Sequence, residues 1–232
     1  MNDRYSGKAE QYEQVGLNGT DLLAYRDLAS LINTYSNRGT AVDFGCGSGK
    51  STRLLKRLGL SVVGLDISAE QLKLARSADP SGDYRQIGPN DELPVQDVDI
   101  VLSVFVFMEL GSKQALESTA KAIERALAKD GVFFMVVTTK DFYSGDWLTL
   151  DTNFAENAAV ESGDKVRVRF PDADLTLTDY FWTDEDYSSA LGQAGFGRID
   201  RYYPLGKDSD GLAWKDETSK APFVIYVARK GD

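Results

Sequence analysis

Between residues 40 and 137, short apolar runs alternate with amphipathic stretches. The runs TAVDFG, SVVGLD, DIVLSVFVF and GVFFMVV are separated by residues 51–58, 69–77 and 113–128, whose apolar positions recur at helical spacing. Buried parallel strands joined by crossover helices produce this pattern. The chain is therefore predicted to form a doubly wound α/β sheet of the Rossmann-like type, with helices on both faces.

Length and charge restrict the partners that we expect. The 232 residues fit a single α/β domain with an insertion. A formal charge of −10 repels a phosphate backbone, so a small molecule is expected as substrate and nucleic acid is not.

No apolar run approaches the roughly 20 residues that cross a bilayer, and the polar N-terminus lacks the apolar core of a secretion signal. We expect a cytoplasmic protein without membrane contact.

The absence of histidine and the single cysteine narrow the chemistry. One cysteine cannot form an internal disulfide or a multi-cysteine zinc site, and the commonest metal ligand is missing. No metal site is predicted. Proton transfer is left to carboxylates, tyrosine, lysine, cysteine or water.

A glycine-rich loop, AVDFGCGSGKST, follows the first predicted strand. A triphosphate-binding loop would need glycine at position 44, and a dinucleotide fingerprint would need a small residue at position 50; Phe44 and Lys50 stand there. The spacing present is Asp-x-Gly-x-Gly-x-Gly, starting at Asp43 and including Gly45 and Gly47. Glycines let a ligand approach the backbone closely, although a tight strand-to-helix turn alone would also use them.

Two carboxylates indicate what this loop binds. Asp43 disfavours a pyrophosphate beside the loop and favours an ammonium group. Asp66 ends the second predicted strand, where a carboxylate can accept hydrogen bonds from both hydroxyls of a ribose. The ligand expected is a nucleoside with a cationic tail, and adenosine with an amino-acid tail is S-adenosylmethionine.

At this point the sequence resembles a known family. VDFGCGSGK, GLDIS, VDIVLSVFVFMEL and the terminal PFVIYVARK are similar to motifs of the class I S-adenosylmethionine-dependent methyltransferases, particularly small bacterial enzymes that act on metabolites. The resemblance covers most of residues 40–138 and resumes with FWTDEDYSSALGQAGF. It implies a seven-stranded, mostly parallel sheet in one domain, 1–232, with an N-terminal helical arm (1–38) and a lid insertion (139–181).

The resemblance also implies how the cofactor is held. Asp43 and the glycine loop would line the methionine portion, Asp66 would hold the ribose, and Ile67 would pack on the adenine. The end of the fourth strand would pass beneath the sulfonium, and tyrosines of the arm would close over the cofactor. The implied cofactor-binding set is Tyr5, Tyr12, Asp43, Gly45, Cys46, Gly47, Ser51, Asp66, Ile67, Gln71, Asn90, Asp91, Val104 and Phe105.

Catalytic and acceptor-binding groups must come from the variable segments. Glu109, Tyr143 and Tyr180 are the candidate catalytic residues, although Glu109 could equally cap a helix or face solvent. KVRVRF and DLTLTDYFW predict a hairpin in the insertion. Its aromatic side chains could surround a sulfonium, and Lys140, Arg167 and Arg169 could bind a carboxylate of the acceptor.

Three activities fit these residues. A small-molecule methyltransferase leads, with a carboxylate, amine or ring nitrogen as acceptor because these need no strong base. A cyclase or lyase that releases methylthioadenosine would use the same loop and acid. A non-catalytic S-adenosylmethionine-binding protein is disfavoured by the intact loop, and either a monomer or a homodimer is expected.

Overall fold

In the computed structural model, the described residues are 8, 11, 18–35, 39–89 and 91–231. Three residues predicted to bind the cofactor, Tyr5, Tyr12 and Asn90, lie outside them.

In the part of the chain that the structure describes, seven strands form the main sheet and two form a separate hairpin. The strands are β1 (Thr40–Phe44), β2 (Ser61–Asp66), β3 (Asp83–Gln86), β4 (Val98–Val104), β5 (Leu127–Thr138), β6 (Lys165–Phe170), β7 (Leu175–Tyr180), β8 (Phe196–Tyr202) and β9 (Phe223–Lys230). The sheet order is β3-β2-β1-β4-β5-β9-β8, with β6 paired to β7. The first five strands run parallel, and β9 is antiparallel to both β5 and β8. This confirms the predicted seven-stranded, mostly parallel α/β sheet.

Six α-helices are described. They are α1 (Leu22–Arg26), α2 (Leu28–Tyr35), α3 (Lys50–Arg57), α4 (Ala69–Ala78), α5 (Lys113–Ala126) and α6 (Asp184–Ala194). The helical spacing of Leu22, Leu28 and Ile32 predicts one helix that is capped by Thr20 or Asp21 and ends near Tyr35, but two helices, α1 and α2, occupy this segment. The predicted caps also differ, because the Asp21 side chain accepts no capping hydrogen bond and the Thr20 hydroxyl donates to Glu217 instead.

The sheet separates two apolar cores. One contains side chains of α1, α2, α3 and the 139–181 insertion, including Leu23, Ile32, Leu55 and Trp147. The other contains α5 and α6. In the insertion, the predicted hairpin is present as β6 and β7, and its first strand forms an isolated antiparallel bridge between Arg169 and Asp151. The insertion is therefore packed against the same sheet face as the N-terminal helices.

Two features are absent from the described residues. None of their helices is long and apolar enough to span a bilayer. No group of three or more His, Cys, Asp or Glu side chains within them could hold a metal ion.

Candidate active site

The glycine loop after β1 is held by backbone hydrogen bonds to the end of β2. The N–H groups of Gly45 and Cys46 donate to the carbonyl of Leu65 at 2.8 and 3.0 Å. Gly45 has φ +73°, and a Cβ added there would lie 2.2 Å from Cγ2 of Val106. Gly47 has φ +50°, so its backbone conformation favours glycine even though space is available. The loop therefore adopts a shape that other residues would disturb.

Asp43 lies buried beneath this loop with one carboxylate oxygen unsatisfied. Its Oδ2 accepts hydrogen bonds from Ser51 Oγ at 2.7 Å and Thr52 Oγ1 at 2.5 Å. Its Oδ1 has no hydrogen-bond partner among the residues that the structure describes. Burial raises the pKa of Asp43 to about 6, against the hydrogen bonds from Thr52 and Ser51. A buried unpaired oxygen of this kind fits a cationic donor.

Asp66 links the end of β2 to two neighbouring segments. Its Oδ2 accepts the N–H of Gly47 and its Oδ1 accepts the N–H of Ser68, both at 2.8 Å. An ionised carboxylate offers about four acceptor positions. The two backbone bonds fix the orientation of the carboxylate at the mouth of a cleft.

This cleft, called here the Asp66 cleft, has an empty volume of about 550 Å³. It brings together most of the predicted nucleoside-binding residues and adds Ile87. Gln71 is almost completely buried, and neither its amide nitrogen nor its amide oxygen has a hydrogen-bond partner in the described part of the chain. The lining residues are Phe44, Gly45, Gly47, Asp66, Ile67, Gln71, Ile87, Val104, Phe105, Val106 and Glu109.

Asp91 lies apart from this cleft. It is exposed, and its carboxylate accepts the N–H of Gly88 at 2.6 Å. It lines a separate depression beside α5.

A second cavity, called here the Asp21 cavity, adjoins the Asp66 cleft. Its empty volume is about 810 Å³, and the two share Gly45, Gly47, Val104 and Phe105. Helix α1, the glycine loop, the end of β5, the insertion and β9 all contribute to its wall. The lining residues are Asp21, Tyr25, Gly45, Cys46, Gly47, Ser48, Lys50, Ser51, Val104, Phe105, Met108, Thr138, Phe142, Leu150, Val168, Phe170, Leu177, Asp179 and Phe223.

Phe105 stands between the two spaces with an unusual backbone. Its φ is +62°, a conformation that costs a bulky side chain energy. Its N–H donates to the Val136 carbonyl at 2.9 Å, and its ring centroid lies 4.9 Å from that of Phe223. Strained residues of this kind concentrate at functional sites.

Two buried carboxylates contribute to an otherwise largely apolar Asp21 cavity. Asp21 is 7% exposed and Asp179 is 6% exposed. Burial raises the pKa of Asp21 to about 7, and the positive charge of Lys50 opposes this shift. Burial and the charges of Asp43 and Asp21 raise the pKa of the Tyr25 hydroxyl. The cavity wall therefore combines two buried carboxyl groups with one lysine ammonium, Lys50.

The three predicted catalytic residues lie outside this lining. Tyr143 is buried with its hydroxyl 2.8 Å from Thr138 Oγ1. Tyr180 is half-buried, and its ring stacks on Trp182 at a centroid distance of 6.5 Å. Glu109 lines the Asp66 cleft instead.

The basic residues predicted to bind an acceptor carboxylate are also elsewhere. Arg167 pairs with Glu156 and lies 4.3 Å from the ring of Phe154. Lys140 and Arg169 are exposed, and Arg169 lies 3.9 Å from Asp174. None of these three cations lines the Asp21 cavity.

Sequence reasoning missed several lining residues: Asp21, Tyr25, Lys50, Thr138 and Asp179. Asp21 is hidden by its resemblance to a helix cap. Asp179 could have been found from the sequence, because Leu175, Leu177 and Asp179 occupy alternate positions of one strand. The structure shows that all three are buried. An acidic residue on the apolar face of a predicted hairpin indicates a polar function there.

Comparisons with known proteins agree with this architecture. A family model described as a methyltransferase domain matches residues 42–135. N-demethylindolmycin N-methyltransferase of Streptomyces griseus is 28% identical over 198 residues, which are 82% of this chain and 81% of that protein. An uncharacterised methyltransferase of Synechocystis is 33% identical over 169 residues, 71% of this chain and 70% of that protein.

A solved structure shows the same fold. The crystal structure of an S-adenosylmethionine-dependent methyltransferase from Mesorhizobium loti matches with a TM-score of 0.65 at 20% identity, covering 91% of this chain and all of that one. The predicted family, enzyme class and cofactor are confirmed: this chain belongs to the class I S-adenosylmethionine-dependent methyltransferases.

Proposed function

We propose that this enzyme transfers a methyl group from S-adenosylmethionine to a nitrogen atom of a small amine. The observation that carries the proposal is the placement of two buried carboxylates, Asp21 and Asp179, in the cavity beside the cofactor cleft. When both are ionised, the two carboxylates outnumber the single Lys50 ammonium in the lining, so a cationic amine would be favoured over an anionic acceptor. The apolar walls, including Phe142, Phe170 and Leu177, would cover the organic body of the acceptor.

The residues present fit the cofactor. The Asp66 carboxylate is oriented to accept ribose hydroxyls, and Ile67 and Ile87 offer apolar surface for the adenine. The unpaired amide of Gln71 would meet polar atoms of the nucleoside. The unpaired Oδ1 of Asp43 would accept a hydrogen bond from the ammonium of the methionine portion. When bound, the cofactor supplies an electrophilic methyl group on sulfur.

The remaining sequence-based assignments stay predictions. Cys46, Ser51, Val104 and Phe105 line the Asp21 cavity near the glycine loop, which suits the methionine portion. Glu109 would contribute a polar contact in the Asp66 cleft. Roles for Tyr5, Tyr12, Asn90 and Asp91 in cofactor binding, and for Tyr143 and Tyr180 in catalysis, await direct tests.

The protein's contribution to the reaction would be alignment and exclusion of water. Methyl transfer needs the nucleophile, methyl carbon and sulfur in line, and holding them so lowers the barrier. Because the cleft and the cavity meet at Gly45, Gly47, Val104 and Phe105, the methyl group would lie at this junction. The space beyond it provides a place for an acceptor, which favours methyl transfer over an intramolecular cyclase or lyase reaction. The Streptomyces griseus relative is itself named as an N-methyltransferase.

Matched acceptors test the proposal. The purified enzyme is incubated with S-adenosylmethionine alone, with tryptamine or phenethylamine, and with indole-3-propionate or 3-phenylpropionate, which replace the amine by a carboxylate. Mass spectrometry identifies the nucleoside product and the acceptor product. We expect S-adenosylhomocysteine and a methylated amine only when an amine is present. Methyl esters alone, or methylthioadenosine without any acceptor, would contradict the proposal.

A further inference from the structure

We infer that Asp21 accepts the proton that an ammonium acceptor must lose before its nitrogen can attack the methyl group. This inference rests on the proposed function and assigns one residue a step in it.

The step is required by the chemistry of amines. An alkylammonium, with a pKa near that of lysine at about 10.4, has no lone pair at neutral pH. Transfer of one proton to the Asp21 carboxylate leaves a neutral amine, whose lone pair forms the new N–C bond. The C–S bond breaks, and its electron pair stays on sulfur to give the neutral thioether. The product is an N-methylammonium, and the proton on Asp21 passes to solvent.

The position of Asp21 suits this step. Asp21 lines the cavity, is 7% exposed, and makes no capping hydrogen bond at the start of α1. Asp43, in contrast, already accepts hydrogen bonds from Ser51 and Thr52 beneath the loop. The side chain of Asp21 is therefore not used to cap α1, and it belongs to the wall that an acceptor in the cavity would contact.

The surrounding titratable groups are compatible with a proton acceptor at this place. The titratable groups lining the cavity are Asp21 and Tyr25 from the α1 segment, Lys50 from α3, Cys46 in the glycine loop and Asp179 from β7, with Asp43 buried beneath the loop. Burial brings the pKa of Asp21 to about 7, close to physiological pH, where a general base is most effective. Burial raises the pKa of Cys46 and Tyr25, so both stay neutral at that pH.

The backbone next to Asp21 is anchored by residues that are not part of the cavity lining. The Thr20 hydroxyl donates to Oε1 of Glu217 at 2.7 Å, and the Thr20 N–H donates to Thr149 Oγ1 at 3.0 Å. Glu217 is fully buried and also accepts the N–H groups of Leu148 and Lys215 at 2.6 and 2.8 Å. These bonds tie the segment before α1 to the insertion and to the loop before β9. Asp21 is thereby held at the cavity wall.

Separate substitutions of Asp21 and Asp179 distinguish proton transfer from attraction of the ammonium acceptor, since the first should change kcat and the second KM. We expect kcat/KM of the wild type for an amine to rise with pH and level off above about 7. Asp21→Asn should lower kcat by about 100-fold at pH 7, and its rate should keep rising toward the pKa of the amine. Asp179→Asn should raise KM while keeping the inflection near pH 7. Asp130→Asn, an exposed position, serves as the matched control.

Calorimetry gives a second readout that does not depend on turnover. Binding of the amine to enzyme saturated with S-adenosylhomocysteine is measured at pH 6 in two buffers of different ionisation enthalpy. The wild type should release a fraction of a proton, because the ammonium favours the ionised carboxylate, and Asp21→Asn should release none. If Asp21→Asn kept the pH profile and the proton release of the wild type, the role of Asp21 as proton acceptor would be overturned, but amine methylation would not. A wild type that methylates no amine would overturn the proposed function as well.

Discussion

The carboxylate of Asp66 accepts a hydrogen bond from the backbone N–H of Gly47 at 2.8 Å. This bond connects the two motifs that the sequence assigns to one ligand, because the end of β2 orients the loop that follows β1. A ligand bound by Asp66 would therefore lie beside the glycine loop.

Replacement of Asp66 by alanine is expected to weaken binding of S-adenosylmethionine by more than tenfold. The variant loses charge-assisted hydrogen bonds to the ribose, each roughly twice as strong as a neutral one, and releases Gly47. Calorimetric titration with S-adenosylhomocysteine measures the change, and Asp130→Ala, at an exposed position outside the Asp66 cleft, is the matched comparison. Equal affinities for the wild type and Asp66→Ala would contradict the ribose assignment.

Alanine at Gly45 should destabilise the protein by more than alanine at Gly59. Both glycines have positive φ, +73° and +87°, but a Cβ at Gly45 would lie 2.2 Å from Val106 whereas nothing lies within 4 Å of one at Gly59. Gly59→Ala isolates the backbone strain, roughly 1–2 kcal/mol, and Gly45→Ala adds the overlap. Urea unfolding measures both free energies. Equal losses would show that the loop moves to accommodate the methyl group.

The stability of the cofactor-free enzyme should fall as pH rises from about 4 to about 7. Burial raises the pKa of Asp21 to about 7 and that of Asp43 to about 6, both above the ordinary 3.8. The fold favours their protonated forms, so this stabilisation is complete below pH 3.8 and is lost as pH rises through the folded-state pKa values. One pKa unit corresponds to about 1.4 kcal/mol. Asp21→Asn should flatten this dependence.

Urea unfolding at several pH values checks this expectation. A free energy of unfolding that depends on pH identically in the wild type and Asp21→Asn would show that Asp21 is ionised throughout the range. Asp130→Asn should behave as the wild type.

Removal of the Glu217 carboxylate should destabilise the fold strongly. Glu217→Ala leaves the buried Thr20 hydroxyl without its acceptor, at about 1–3 kcal/mol, and also removes the partly buried hydrogen bonds of the Leu148 and Lys215 N–H groups. Thermal and urea unfolding measure the loss. Glu161→Ala, at an exposed position of the insertion, should change stability by less than about 0.5 kcal/mol. Similar small effects of both substitutions would contradict an anchoring role for Glu217.

The sequence predicted best what is local in the chain. The end of β1 and the loop that follows it contain Asp43, Gly45 and Gly47. The spacing of these three residues depends on the geometry of a strand, a turn and a helix within about a dozen residues. Asp66 follows from its place at the end of the next strand. These features could be predicted because short-range backbone rules determine them.

The acceptor side of the site could not be predicted because long-range contacts assemble it. Thr20 and Glu217 are 197 positions apart in the chain, yet their hydrogen bond anchors the segment that carries Asp21. About half of the aromatic residues of the insertion were expected to pack against the sheet and the others to surround a sulfonium; Tyr143 and Trp147 are buried. Hydrophobic burial uses most of these rings, and only Phe142 and Phe170 among the insertion's aromatics line the Asp21 cavity in the described residues.

The most direct test of amine methylation uses S-adenosylmethionine whose transferred methyl group carries deuterium. The labelled cofactor is incubated with the enzyme and tryptamine, and tandem mass spectrometry locates the label in the product. The account predicts a deuterated methyl group on the amine nitrogen, formed in equal amount with S-adenosylhomocysteine. Label on carbon or oxygen, or release of labelled methylthioadenosine, would contradict it.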